Sequence, residues 1–163
     1  MNDLFAPPGN AWKPVSPQLG RMRRLLLVVL VGVLVAVTLF VALVFEPPTW
    51  VTVTLLVVPL ALLGPGWFLI GRNARSWGYA ERDEDLYVTH GAMFKELVAV
   101  PYGRMQFVDI TSGPVEQLFG ISTVHLHTAS PRTSAAIPGL PKDEAARLRD
   151  RLTTLGQAQA AGL

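Results

Sequence analysis

The sequence predicts an α+β membrane protein, in which a two-helix transmembrane hairpin precedes a small, mainly β domain closed by a C-terminal amphipathic helix. Two observations carry this prediction. First, charge is segregated along the chain: between Arg24 and Arg72 the only ionisable residue is Glu46, whereas charges recur every few positions after Arg72. Second, apolar and polar residues alternate in several short runs beyond residue 76, as they do in half-buried strands.

Two apolar stretches are each long enough to span a bilayer as a helix. They cover residues 25–45 and 50–70, and about 20 apolar residues cross the hydrocarbon core. Only residues 46–49 separate them, so the spans must fold back on each other as an antiparallel hairpin whose backbone groups are satisfied within each helix. Small residues on the first span, Gly32, Ala36 and Ala42, also allow self-association of the hairpin.

Basic and aromatic residues flank the spans. The connecting turn carries only a glutamate, so the positive-inside rule places both termini in the cytoplasm. The predicted interface residues are Arg21, Arg23, Arg24, Trp50, Trp67, Arg72 and Arg75. Such arginines can attract anionic lipid headgroups. The other interpretation is that they only set the topology.

Composition excludes several functional classes. From Arg72 to the C-terminus, eight Arg and two Lys face five Asp and five Glu, so this soluble part of the chain is neutral and does not favour nucleic-acid binding. The chain has no cysteine, which excludes disulfides, thiolate nucleophiles and cysteine zinc sites.

These patterns divide the chain into four segments. Residues 1–20 are rich in Pro, Gly and Asn and are predicted to be a disordered cytoplasmic tail. The transmembrane hairpin covers residues 21–75, the β domain residues 76–155 and a flexible C-terminus residues 156–163.

Within the domain, alternation predicts strands separated by glycine and proline turns. The predicted strands cover residues 85–90, 92–100, 105–111, 121–128 and, more briefly, 133–137. Gly91 supplies a residue that accepts positive φ between the first two. A single helical turn over residues 115–119 is closed by Gly120.

The last predicted element is a helix. Ala145, Leu148, Leu152 and Leu155 recur at helical spacing behind Pro141, and Gly156 suits the end of the helix. We therefore expect the apolar face of this helix to cover the sheet.

The segment VPYGRMQFVDITSGPVEQLFGISTVHLHTA resembles the signature of the YdbS-like bacterial pleckstrin-homology (PH) membrane proteins. In that family a Pro ends one strand, Arg-hydrophobic-Gln opens the next, and Gly-Pro precedes Leu-x-Gly. The matching residues are Pro101, Arg104, Met105, Gln106, Gly113, Pro114, Leu118 and Gly120. The two spans before the domain are also the family's layout, so the resemblance covers about residues 20–155.

The resemblance implies a PH-like β-barrel or sandwich and an assembly partner from the same family, such as a larger membrane protein. Family members carry basic residues just before the Leu-x-Gly, whereas this chain has Glu116 and Gln117 there. This departure weakens the expectation that the loop binds phosphate. The motif residues either hold the domain's own strands or contact a partner.

His125 and His127 are the most enzyme-like feature. Two histidines at alternate positions of one strand point the same way and could share a metal. The alternative is that both occupy the polar face of a strand whose other face holds Val124 and Leu126. No nucleophile or phosphate-binding motif is present in the sequence. We therefore expect no catalytic residues, cofactor or metal.

The most consistent function is a non-enzymatic, membrane-anchored module that docks or scaffolds partner proteins at the cytoplasmic face. The alternative is sensing of anionic lipid headgroups by the PH-like domain. A metal-dependent enzyme that uses His125 and His127 is the remote third hypothesis.

Overall fold

A computed structural model describes residues 12–129 and 134–160 of the chain. In chain order the elements are β1 (Lys13–Pro14), α1 (Gln18–Phe45), α2 (Thr49–Arg75), β2 (Gly78–Glu81), β3 (Asp85–His90), β4 (Glu96–Pro101), a 3-10 turn (Tyr102–Arg104), β5 (Met105–Thr111), α3 (Pro114–Leu118), β6 (Ile121–Thr128), β7 (Ala135–Pro141) and α4 (Lys142–Ala160).

The helices α1 and α2 form the predicted hairpin. Both are long and apolar enough to cross a membrane, and most of their large apolar side chains are exposed, as lipid-facing side chains are. Glu46 turns the chain between them with a φ of 42°. The helices extend beyond the predicted spans: α1 begins at Gln18 rather than at residue 25, and α2 ends at Arg75 rather than at residue 70.

The β domain is a sandwich of two antiparallel sheets. The first has the strand order β1-β2-β3-β4, and the second has the order β5-β6-β7. Within the described residues no strand pairing joins the two sheets, so of the two predicted forms the sandwich is confirmed and a closed barrel is not formed. The helix α4 packs against the sandwich through Ala145, Leu148 and Leu152, which are fully buried.

The strands with clear alternation were predicted correctly. The bounds of β3, β5 and β6 are confirmed at both ends. The strand β4 begins at Glu96, four residues later than predicted, because residues 91–95 form the turn that follows Gly91 at a φ of 104°. The strand β7 runs from Ala135 to Pro141, later than the predicted 133–137, and Thr133 lies outside the described residues.

The segment before the first span belongs to the hydrophobic core. Val15, Leu19 and Met22 are buried among the strands and α4, and Leu19 is only 1% exposed. The backbone N–H of Ser16 donates to the carbonyl oxygen of Gly139 at 2.9 Å. The predicted disordered tail is therefore wrong for residues 12–20, whereas residues 1–11 lie outside the described part of the chain.

Gly139 explains how α1 approaches the sandwich so closely. A Cβ atom at Gly139 would lie 2.7 Å from the Cβ of Leu19, and the residue has a φ of 75°. Only glycine combines that left-handed backbone with that contact. At the next residue of α1, a Cβ at Gly20 would lie 3.3 Å from the Cβ of Ala74. The base of the hairpin and the sandwich are thus packed as one unit.

The C-terminal helix also exceeds its predicted bounds. It continues through Gly156 to Ala160, so the predicted flexible C-terminus is wrong for residues 156–160, and residues 161–163 are not described. A Cβ at Gly156 would lie 3.6 Å from the carbonyl oxygen of Tyr102. This distance is an ordinary van der Waals contact, so Gly156 neither ends the helix nor is required by its packing against the 3-10 turn.

Truncation of Leu19 should destabilise the β domain although the residue belongs to the first helix. We expect Leu19→Ala to lower the free energy of unfolding by about 2–5 kcal/mol, the usual loss for a fully buried leucine. Pulse proteolysis of the detergent-solubilised chain measures this loss. The matched control is Leu26→Ala, because Leu26 is exposed on the hairpin surface. Equal stability of the two variants would contradict the shared core.

Candidate functional site

A cleft of about 380 Å³ lies where the hairpin meets the β domain. We call it the junction cleft, and it opens between the segment before α1, the first turns of α1 and the last turns of α2. Its lining residues are Pro14, Val15, Ser16, Pro17, Gly20, Arg21, Arg24, Gly71, Ala74, Arg75 and Trp77. Three of these are arginines and none is acidic, so the cleft is suited to an anion.

Two hydrogen-bond donors of the junction cleft are buried without a partner among the described residues. They are Nε of Arg24 and Nε1 of Trp77. The guanidinium of Arg24 lies 4.7 Å from the ring centroid of Trp67, a cation–π contact that holds it against α2. The indole of Trp77 stacks on His90 with 4.7 Å between the ring centroids. An unsatisfied buried donor is costly, so an acceptor that reached either atom would be stabilised.

The structure brings together some predicted interface residues and separates others. Arg21, Arg24 and Arg75 share the junction cleft. Arg23 instead donates to Oδ1 of Asn73 at 2.7 Å and fastens α1 to α2. Arg72 donates to the carbonyl oxygen of Ala92 at 2.8 Å. Trp67 contacts Arg24, as described above, and Trp50 is exposed in the first turn of α2, at the end of the helix away from the cleft.

A second concavity, about 330 Å³ in volume, lies between β5 and α4. We call it the β5 groove. It is lined by Met105, Gln106, Phe107, Val108, Leu152, Thr153, Gly156 and Gln157. The strand β5 is an edge of its sheet, and its register shifts between Met105 and Phe107, where a β-bulge lies at Gln106. The groove therefore combines apolar side chains with an edge strand.

The motif residues fall into two groups. Met105 and Gln106 line the β5 groove, next to Pro101 at the end of β4 and Arg104 in the 3-10 turn. The others shape the connection between β5 and β6. There Gly113 and Pro114 start α3, Gly120 ends it at a φ of 66°, and Leu118 is 85% exposed.

Glu116, which departs from the family pattern, holds that same connection in place. One of its carboxylate oxygens accepts a hydrogen bond from the N–H of Gly113 at 2.9 Å, and the other accepts one from Oγ1 of Thr123 at 2.9 Å. Gln117 donates to the carbonyl oxygen of Ser112 at 3.0 Å. Both side chains thus have structural roles in the turn.

Comparison with known proteins agrees with this architecture. Residues 23–155 match the family model described as Bacterial PH domain. The chain belongs to the bacterial PH domain family. Among curated proteins it is similar to the transmembrane protein YdbS of Bacillus subtilis (strain 168), with 26% identity over 159 residues, covering 92% of this chain and 94% of the relative. No solved structure matches the chain significantly. The resemblance to the YdbS-like family is therefore confirmed, and neither description is that of an enzyme.

In this family member the two histidines of β6 have protein partners. Nε2 of His125 lies 3.0 Å from Oγ1 of Thr111, and the ring of His127 stacks on Phe107 with 4.2 Å between centroids. Within residues 12–129 and 134–160, no group of three or more His, Asp or Glu side chains is arranged to hold a metal ion. The geometry gives no support for the metal-dependent hypothesis.

An ionic cluster that the sequence did not reveal joins β1, β2 and α4. It consists of Lys13, Glu81, Glu144, Arg147 and Arg151. Arg147 Nη2 lies 2.6 Å from Oε1 of Glu81 and 2.7 Å from Oε1 of Glu144. Lys13 Nζ lies 2.8 Å, and Arg151 Nε 3.2 Å, from oxygens of Glu81, whose side chain is almost fully buried. No sequence pattern joins Glu81 to its cationic partners, because Lys13 and Arg147 lie 68 and 66 positions away from it.

The cluster controls the ionisation of its carboxylates. Hydrogen bonds from Arg147 and Tyr79 lower the pKa of Glu144 to about 2, although burial opposes them. Burial alone would raise the pKa of Glu81, but hydrogen bonds from Arg147 and Lys13 outweigh it and lower this pKa below its usual value. Burial and the hydrogen bond to Glu144 raise the pKa of Tyr79. The cluster thus holds both carboxylates in their charged form.

Acid should lower the stability of the β domain by protonating Glu144. Its pKa is about 2 when folded, against an ordinary value of 4.5, so the unfolded chain binds the proton more readily. The stabilisation is fully present above pH 4.5 and is lost as the pH falls towards 2. Across this range, the melting temperature of Glu144→Gln should change less with pH than that of the parent chain. The control is Asp83→Asn, at an exposed turn outside the cluster. Identical slopes for the two variants would contradict the role of Glu144.

Proposed function

We propose that this chain is a non-enzymatic, membrane-anchored module that docks a partner protein at the cytoplasmic face through the β5 groove. The family membership and the two candidate spans support a membrane-associated PH module. The arginines that flank the spans favour cytoplasmic termini by the positive-inside rule. The observation that carries docking is the edge strand β5, which borders an apolar groove beside α4.

An extended segment of the partner fits this groove as an additional strand. The strand β5 pairs with β6 on one side only, so its other edge offers backbone groups to a partner. Alternate side chains of an added strand would face the apolar surface of Met105 and Val108. Phe107 is more than half exposed and offers an aromatic contact beside the groove.

The partner we propose is another membrane protein with a bacterial PH domain, for example a member of the family that is larger than this chain. A partner held in the same membrane meets the groove at a high effective concentration, so a weak strand addition is sufficient for assembly. Self-association is the competing assembly. It would use the hairpin, where a Cβ at Gly32 meets no other atom within 4 Å.

Photocrosslinking from the groove tests the docking proposal in native membranes. With p-benzoylphenylalanine in place of Phe107, we expect an adduct with a second membrane protein that has a bacterial PH domain. Thr153→Arg should abolish the adduct, because Thr153 lines the groove and a longer, charged side chain there obstructs it. Thr154→Arg should leave the adduct intact, since Thr154 is exposed next to Thr153 but outside the lining.

Two outcomes would contradict docking in the β5 groove. One is an adduct that persists in the Thr153→Arg variant, because the crosslinked surface would then lie elsewhere. The other is an adduct formed only with a second copy of this chain, which would indicate self-association instead.

A second candidate function is binding of an anionic lipid headgroup in the junction cleft. The observation that favours it is the pair of unpartnered donors on Arg24 and Trp77, in a cleft with three arginines at the end of the apolar spans. A phosphate oxygen would accept from both donors, and the arginines would balance its charge. Residues 76–155 carry six Arg and two Lys against five Asp and five Glu, so the β domain has no basic surplus of its own and this binding would be confined to the junction.

Lipid retention by the full chain tests the headgroup hypothesis. In nanodiscs of mixed lipids, Trp77→Phe keeps an aromatic ring against His90 but deletes one donor. We expect about tenfold weaker retention of anionic lipid by native mass spectrometry, as for one lost hydrogen bond to a charged group. Arg149→Gln on the exposed face of α4 is the control. Unchanged retention in Trp77→Phe would contradict the site. Retention of inorganic phosphate in neutral lipid would show an anion site without lipid preference.

A further inference from the structure

The turn between β3 and β4 exposes two large apolar side chains. Met93 is 72% exposed and Phe94 is 87% exposed. Outside α1 and α2, only Phe107 and Leu118 are comparably exposed large apolar residues within the described ranges. Neighbouring apolar side chains that face water at the tip of a turn are unfavourable, so these two side chains indicate a surface that contacts a partner or a membrane.

This turn lies at the end of the first sheet that is closest to the spans. The chain leaves α2 at Arg75 and enters β2 at Gly78, three residues later. Gly78 pairs with Thr89, which directly precedes the last residue of β3. The other end of β2 pairs Glu81 with Leu86, next to the turn between β2 and β3. The turn at residues 91–95 is therefore proximal to the membrane, and the turn at residues 82–84 is distal.

Two contacts hold the turn against the base of the hairpin. Arg72, in the last turn of α2, donates to the carbonyl oxygen of Ala92 at 2.8 Å. His90, directly before the turn, stacks on Trp77, two residues after the end of α2. Arg72 lies two residues beyond the apolar stretch that ends at Ile70, so its partner Ala92 lies beside the end of that stretch. Met93 and Phe94 follow Ala92 immediately.

We propose that Met93 and Phe94 insert into the bilayer surface and form a third membrane contact in addition to the two spans. The occupant is lipid, because the turn is continuous with the hairpin base and is held at interfacial depth by Arg72. Lys95 directly after the pair can reach anionic headgroups while the apolar side chains enter the acyl boundary. The contact fixes the tilt of the sandwich, so that the β5 groove keeps a constant orientation to the membrane.

The absence of cysteine makes a direct test simple. Phe94→Cys provides the only thiol of the full-length chain, and so does Asp83→Cys at the membrane-distal turn. Each variant is labelled with an environment-sensitive fluorophore and reconstituted into lipid nanodiscs without any other protein. At position 94 we expect blue-shifted emission, several-fold weaker quenching by aqueous iodide than at position 83, and strong quenching by lipids with nitroxide-labelled acyl chains.

Several outcomes would overturn the proposal. Equal iodide quenching at positions 94 and 83 would show that the turn faces water. Protection of position 94 only in native membranes, and not in nanodiscs, would assign the turn to a protein partner. Thermal unfolding verifies that both labelled variants are folded like the parent chain. Because neither variant alters the β5 groove, the result is independent of the crosslinking from position 107.

Discussion

The contact between Leu19 and Gly139 is the constraint on which the rest of the structure depends. Leu19 belongs to the helix that leads into the first span, yet it is buried in the core of the sandwich. The helical hairpin is therefore not joined to the β domain by a linker. The junction cleft, the position of the exposed turn at residues 91–95 and the orientation of the β5 groove all follow from this fixed attachment.

The sequence predicted those elements whose signals are local. Strands with strict alternation, such as β3 and β6, were placed to the residue, because burial of one face imposes a period of two. The strand β2, with the sequence Gly-Tyr-Ala-Glu, was missed because three of its four residues are buried and no alternation results. The segment before the first span was missed because Val15 and Leu19 acquire their partners only in the folded protein.

The candidate sites show the same division between local and distant signals. Charge at the ends of apolar spans is visible in a sequence, so the arginines of the junction cleft were predicted individually. Helix packing decides which of the flanking arginines line the cleft. Arg21, Arg24 and Arg75 do so, whereas Arg23 and Arg72 form hydrogen bonds with other residues of the protein. The ionic cluster could not be predicted at all, since Lys13 and Glu81 are 68 positions apart. Local signals did not locate the β5 groove, because it forms only where α4 lies beside β5.

The pairing of β1 with β2 links assembly of the domain to its biogenesis. The two strands are neighbours in the first sheet, with Lys13 opposite Tyr79, although the whole hairpin lies between them in the chain. During synthesis β1 emerges first and has no partner until both apolar helices have been translated. Completion of the sheet thus requires the ends of the hairpin to be brought together, as they are in an inserted hairpin. Closure of the hairpin is in this way a prerequisite for completion of the sheet beside it.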